Sequence, residues 1–169
     1  STENNTPLNR FYHQTTAKYN GHFNAKELMR ISLKTYHDSR KEDFYTILPI
    51  FPVPSEKDVK GMLPAIDTAV MKCSKVILNH SMPTAENMFY KSVEYNKWID
   101  ENWLTVGEAF FYRRDYQKAL DNFEFVKRFF EKDPSTYVAS LCIARIYIEQ
   151  RKYADAKLIL DALNERRIT

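Results

Sequence analysis

Apolar positions recur at helical spacing along most of this chain, and only a few prolines and glycines interrupt them. The spacing predicts a first helix over about 8–22, closed by Asn20-Gly21. A second helix opens with Asn24 as N-cap and Glu27 three residues on, a reciprocal capping pair, and runs to about Asp38. Residues 44–54 then carry Pro49, Pro52 and Pro54, which push Leu48, Phe51 and Val53 towards extended geometry. That segment is too apolar for a free linker. It reads as a strap lying along the helices and burying Ile47, Leu48 and Phe51, with partner binding as the alternative role. Helix resumes after Ser55, where Asp58 completes another capping signature, and Pro64 is expected to split it, leaving a longer piece over about 64–79. Ser81-Met82-Pro83-Thr84 breaks the chain again. From Asn87 to Asn102 the pattern fits helix or loop, and Met88, Phe89, Tyr90 and Tyr95 form a candidate exposed aromatic patch.

The last 70 or so residues hold an internal repeat. Tyr116 and Ala119 return 37 residues later as Tyr153 and Ala156, and Trp103 and Gly107 map at the same offset onto Ser140 and Ala144. The first copy reads Trp103, Val106, Gly107, Phe110, Tyr116, Ala119, Phe123 and Pro134; the second reads Ile143, Ala144, Tyr147, Tyr153, Ala156 and Leu160. Laid out this way, the positions resemble the tetratricopeptide pattern, in which each repeat is one helix–turn–helix unit that buries its apolar face only by stacking on neighbours. Gly107 and Ala119 are expected to face each other where the two helices of a hairpin approach closely, with Phe110 and Tyr116 filling the volume beside them. The period exceeds the usual ~34 residues, which predicts a second helix lengthened through Phe129-Phe130-Glu131. Asp115 is placed to cap one helix and Pro134 to start another. The predicted fold is all-α: a solenoid of helical hairpins with an extended proline-rich strap. Its divisions are a polar tether over 1–7, a degenerate-repeat region over 8–95 with the strap at 44–54, and two repeats over 96–169.

Composition narrows the functions. With 44% hydrophobic residues and three glycines among 169 residues, there is little material for phosphate-cradling loops. The 25 basic and 22 acidic residues, net +3, are interspersed, unlike the one-signed cluster of a nucleic-acid footprint. Cys73 falls on an apolar stripe with Ile66, Ala69, Val70, Val76 and Ile77 and is expected to be a buried, inert thiol; Cys142 stands apart from it. The histidines at 13, 22, 37 and 80 have no i, i+4 partner, so neither a metal site nor any other cofactor is expected. No G-x-S-x-G, P-loop or H-E-x-x-H motif occurs, and the chain is read as non-catalytic. The polar opening and the apolar pattern of Leu160, Leu163 and Ile168, without a stop signal, suggest a piece of a longer protein whose array continues.

The opening run from Asn9-Arg10-Phe11-Tyr12-His13 through Tyr19-Asn20-Gly21-His22-Phe23 to Glu27 resembles the start of the mature gliding-motility and type IX secretion lipoproteins of Bacteroidetes. Ile47-Leu48-Pro49-Ile50 is similar to a stretch of that family, and so is the segment from Asn96-Lys97-Trp98-Ile99-Asp100 through Trp103, Phe111-Tyr112 and Tyr116. The resemblance implies a lipid-anchored protein on the periplasmic face of the outer membrane. It would act there as a scaffold binding protein components of the type IX secretion machinery, both translocon and periplasmic ring or motor parts. The acylated cysteine of that family would precede Ser1, and residues 81–94 read as an insertion.

In a hairpin stack the first helix of each repeat lines the concave face. Counting from the pattern, Glu101, Leu104, Glu108, Phe111 and Tyr112 point there in the first repeat, and Val138, Leu141, Arg145, Ile148 and Glu149 in the second. This mixture of apolar anchors and charges of both signs suits a protein-binding groove. The same residues would be ordinary core if neighbouring helices covered them. Two further functions fit the pattern: a generic peptide-binding adaptor, and a helical glycan-capture lipoprotein, which would need exposed, adjacent rings. Trp103, Phe110, Tyr116 and Phe123 occupy repeat-core positions, which leaves few rings for a platform, and Trp98, Tyr90 and Tyr95 merely scattered on the surface would not make one.

Overall fold

The structure, a computed structural model, describes residues 2–45, 47–84 and 93–168. It is all-helical: among the described residues no strand forms, and Pro83 and Glu94 make an isolated bridge. The expected patch at Met88, Phe89 and Tyr90 lies outside the described residues.

The first 39 residues correct the expected pair of helices. Helix α1, Pro7–Thr16, starts under Thr6, whose hydroxyl accepts the Asn9 amide, with Pro7 supplying a pre-set first turn. It does not end at Asn20-Gly21. The chain passes through a wide π segment, Ala17–Phe23, straight into α2, Asn24–Ser39. Asn24 keeps helical dihedrals and caps nothing, and Glu27 instead bonds Arg30. The reason is tertiary. The seam His13, Ala17, Gly21, Ala25 and Met29 is buried, and a side chain added at Gly21 would strike Asn102 and Val76. Gly21 is thus a contact residue, not a turn. Asn102 donates to the Ala17 carbonyl at 3.2 Å, meeting one backbone group at the start of the widened helix.

Helix α3, Glu56–His80, carries the expected Ser55/Asp58 capping box but is not split at Pro64. Pro64 and Lys60 lie on the solvent side, so the carbonyl that Pro64 leaves without an amide faces water. Cys73 is buried on the apolar stripe. The strap between α2 and α3 also departs from expectation. Ile47 is fully exposed and Phe51 mostly so, while Leu48 is half-buried. The anchors are half-buried Val53 and buried Pro54, whose carbonyls accept bonds from the Tyr36 hydroxyl and the Arg114 guanidinium.

Helix α4, Ile99–Tyr112, is the hub: it contacts α2 and the π segment, packs on α3, on α5 (Tyr116–Phe129), and on α6 (Ser135–Glu149). Asn96 leads into α4 by accepting the Trp98 amide on its side-chain oxygen; of the stretch 87–102 read as helix or loop, 87–92 lie outside the described residues. Asp115 caps α5 as expected. Helix α5 stops at Phe129, and the five residues 130–134 connect it to α6, so the long period does not come from a helix carried through Glu131. Pro134 stands at the N-cap of α6.

The repeat is visible in the turns. Arg114 and Arg151, 37 residues apart, both take left-handed dihedrals, with φ of 66° and 60°. In each turn the left-handed residue bonds a carbonyl three back, and the next amide reaches five back: Asp115 to Phe110, Lys152 to Tyr147. The two hairpins, α4–α5 and α6–α7 (Tyr153–Ile168), are therefore closed by the same motif. Within the first, Gly107 meets the Phe123 ring: an added Cβ would lie 2.5–2.9 Å from three ring carbons. Gly107, Ala119, Phe123, Ala144 and Ala156 are buried as expected, whereas Trp103, Phe110, Tyr116 and Tyr147 are half-buried. Tyr153 is exposed, because α7 packs on α6 and on no other described element.

Candidate functional site

Side by side, α2, α4 and α6 form a groove that encloses a cavity of about 230 Å³. Four of the residues placed on the concave face meet there: Glu108, Phe111 and Tyr112 from α4, and Arg145 from α6. The other wall comes from α2 through Lys26, Met29, Arg30 and Leu33, which the sequence reading missed. The signal was present, since 24–39 is itself the first helix of a hairpin with α3, but that region lacks the repeat's marker residues.

The remaining candidates divide by depth. Leu104 is buried and belongs to the core cluster that also holds Phe123, Val126 and Ile143, and it does not line the groove cavity. Phe111 is buried too, so its ring forms the groove floor rather than a free anchor. Glu101 is half-buried beside the π segment, where its backbone hydrogen-bonds His22, whose ring also meets Thr105 at 3.1 Å. Val138, Leu141 and Ile148 are exposed on α6, and Glu149 is half-buried near its end.

The charges are unevenly matched. Lys26 reaches Glu108 at 3.7 Å, and Arg30 is bonded to Glu27. Burial holds the Glu108 carboxyl above the usual range, with Lys26 and, more weakly, Arg145 opposing, so the groove's one acid is biased towards its neutral form. Arg145 differs from the other cations. Its guanidinium lies 4.6 Å from the Phe111 ring centre and 5.5 Å from that of Tyr112, and it bonds the Tyr112 hydroxyl at 3.4 Å. Among the described residues no carboxylate comes within ion-pair distance of it. Phe51 of the strap approaches the same guanidinium at 6.0 Å. The site is thus a cation fixed on an aromatic floor, beside a wall that mixes Met29 and Leu33 with the charges of Lys26 and Arg30.

Elsewhere the structure joins residues that no spacing linked. His13 and His80 touch, although among the described residues no group of three or more His, Cys, Asp or Glu could hold a metal ion. Burial pushes both thiols, Cys73 and Cys142, up to about 12. Of the rings outside the repeat core, Trp98 lies beside His22 and Arg10 covers Tyr95, while Tyr90 lies outside the described residues. No described helix is long and apolar enough to cross a membrane.

No protein-family model matches this chain, and no curated protein matches it in sequence.

Proposed function

We propose that this chain is a non-catalytic tetratricopeptide-type scaffold that holds a protein segment in the groove between α2, α4 and α6. The observation that carries the reading is Arg145: a guanidinium oriented by Phe111 and Tyr112, at the groove, with no carboxylate within ion-pair distance among the described residues. A cation held on aromatic faces is pre-oriented, so a carboxylate arriving from a partner gains charge-assisted hydrogen bonds at little ordering cost. Met29 and Leu33 then offer contact for an apolar side chain next to it. The matching segment carries an acidic residue beside an apolar one. Support for the hairpin repeat comes from the 37-residue register and from the identical turn closures at Arg114 and Arg151. The resemblance of the opening residues supports a role for the scaffold in the type IX secretion and gliding machinery, with a lipid anchor on the periplasmic face of the outer membrane.

The test is affinity capture of envelope proteins with wild type and with Arg145→Glu, followed by direct titration of the captured partner. Arg145→Glu is expected to weaken binding about tenfold or more while leaving the melting temperature near wild type. Equal binding by the two proteins would remove the groove from consideration. Capture of envelope components unrelated to secretion would remove the machinery assignment alone.

A further inference from the structure

The helix formed by α1 and the π segment is amphipathic in an unusual sense: its small residues face inward and its large apolar ones face solvent. Ala17, Gly21 and Ala25 lie in the buried seam. On the opposite side Leu8, Phe11, Tyr12, Tyr19 and Phe23 are all exposed, Leu8 at 80% and Phe11 at 68%. The widened turns keep Tyr19 and Phe23 in line with the α-helical residues before them, so the five share one stripe, interrupted by Thr15. The stripe runs for about 22 Å at ~1.5 Å per residue. Among the described elements α1 contacts only the π segment and α3, so this face forms an outer edge of the fold.

Charge indicates what the stripe meets. From Asn4 to Asn24 there is no Asp or Glu, while Arg10 and Lys18 supply positive charge along the stripe; Lys26 turns instead to Glu108 in the groove. Two copies joined through this face would bring like charges together. A stripe of Phe, Tyr and Leu flanked by Lys and Arg is instead the composition of a helix lying in a lipid interface, where amphipathic rings sit at headgroup depth and cations meet acidic headgroups. We infer that the α1 face, through Leu8, Phe11, Tyr12, Tyr19 and Phe23, adsorbs to an anionic lipid bilayer surface. This contact is on a different face from the groove and does not depend on its occupant.

The test is flotation of the whole chain with vesicles of phosphatidylcholine doped with phosphatidylglycerol, against vesicles of phosphatidylcholine alone. Wild type is expected to float with the doped vesicles and to release at high salt. Phe11→Ser combined with Phe23→Ser should lower partitioning about tenfold or more, and Lys18→Glu should lower it on anionic vesicles only. All three substituted side chains are at least partly exposed, and circular dichroism checks that the variants remain folded. Arg145→Glu should float like wild type, which separates this contact from the groove. Failure of wild type to float overturns the inference, as does equal flotation of the Phe11/Phe23 variant. A wild-type dimer that the same variant dissolves, or an acidic protein partner captured through the stripe, would also overturn it.

Discussion

His13 and His80, 67 residues apart in the chain, bring their Nδ1 atoms to 2.8 Å. Asn96 fixes the pair from behind by donating to the backbone carbonyls of both. At that separation one ring donates and the other accepts, so the contact tolerates a single proton between the two nitrogens and not two. It ties α1 to the end of α3.

This pair predicts acid sensitivity. Burial holds both imidazoles below the ordinary histidine range, and for His80 the neighbouring His13 adds to the effect; His22 is lowered too, chiefly by burial. The unfolded chain then takes up protons first as pH falls. The stabilisation is complete above about pH 6.5 and is lost below it, through the folded-state pKa. Thermal melting from pH 7.5 to 5.5 should show a falling midpoint in wild type and a smaller fall in His13→Gln/His80→Gln. Equal slopes would show that the pair does not couple to folding.

Asp100 works in the opposite direction. It is nearly inaccessible in the first turn of α4, and burial pushes its carboxyl up to about 6. The folded state therefore binds the proton that the unfolded chain has released, and ionisation above pH 6 destabilises the fold. Asp100→Asn should raise stability at pH 8 by on the order of 1–3 kcal/mol. The gain should shrink towards pH 4, as denaturant unfolding at the two pH values will show.

Gly107 leaves no room for a side chain. Helix propensity alone would favour alanine there by ~1 kcal/mol, but the Cβ would enter the ring of Phe123, which is completely buried. Gly107→Ala should thus destabilise by about 1–3 kcal/mol, and Gly107→Leu by more. Unchanged unfolding in Gly107→Ala would show that the hairpin spreads at no cost.

Arg151 offers the reverse experiment. Its left-handed backbone closes the α6 turn and its side chain is exposed. Arg151→Gly should relieve the dihedral strain and stabilise by about 0.5–1 kcal/mol. The equivalent Arg114→Gly should gain less, because Arg114 also holds the Pro54 carbonyl of the strap at 3.1 Å. A gain at 114 as large as at 151 would mean that the strap bond contributes nothing.

Phe111 separates floor from surface in the groove. Being buried, it should cost about 3–5 kcal/mol when cut to alanine. Pairing Phe111→Ala with Arg145→Glu would therefore confuse binding with unfolding, and Arg145→Glu alone is the informative variant. A Phe111→Ala protein melting near wild type would move that ring from core to ligand contact.

Local chemistry carried the helices, the capping box at Ser55 and Asp58, the cap at Asp115 and the 37-residue register, because each depends on residues within a turn or a hairpin of one another. The same chemistry misplaced what depends on distant partners. Gly21 reads as a helix end until Val76 and Asn102 stand against it; Pro64 reads as a break until its solvent-side position leaves the missing bond to water. Ile47 and Phe51 read as strap anchors on hydrophobicity, yet the strap is fastened by the carbonyls of Val53 and Pro54. Half of the groove was legible, since α4 and α6 belong to marked repeats, while the wall from Lys26 to Leu33 came only with the packing of α2 beside α4. Local residue chemistry was enough to say where this chain is helical and where it repeats. Tertiary contact alone decided which faces close, leaving Arg145 on its aromatic floor and the Phe11 stripe facing outward, because burial of a helix face is settled by the neighbour that covers it.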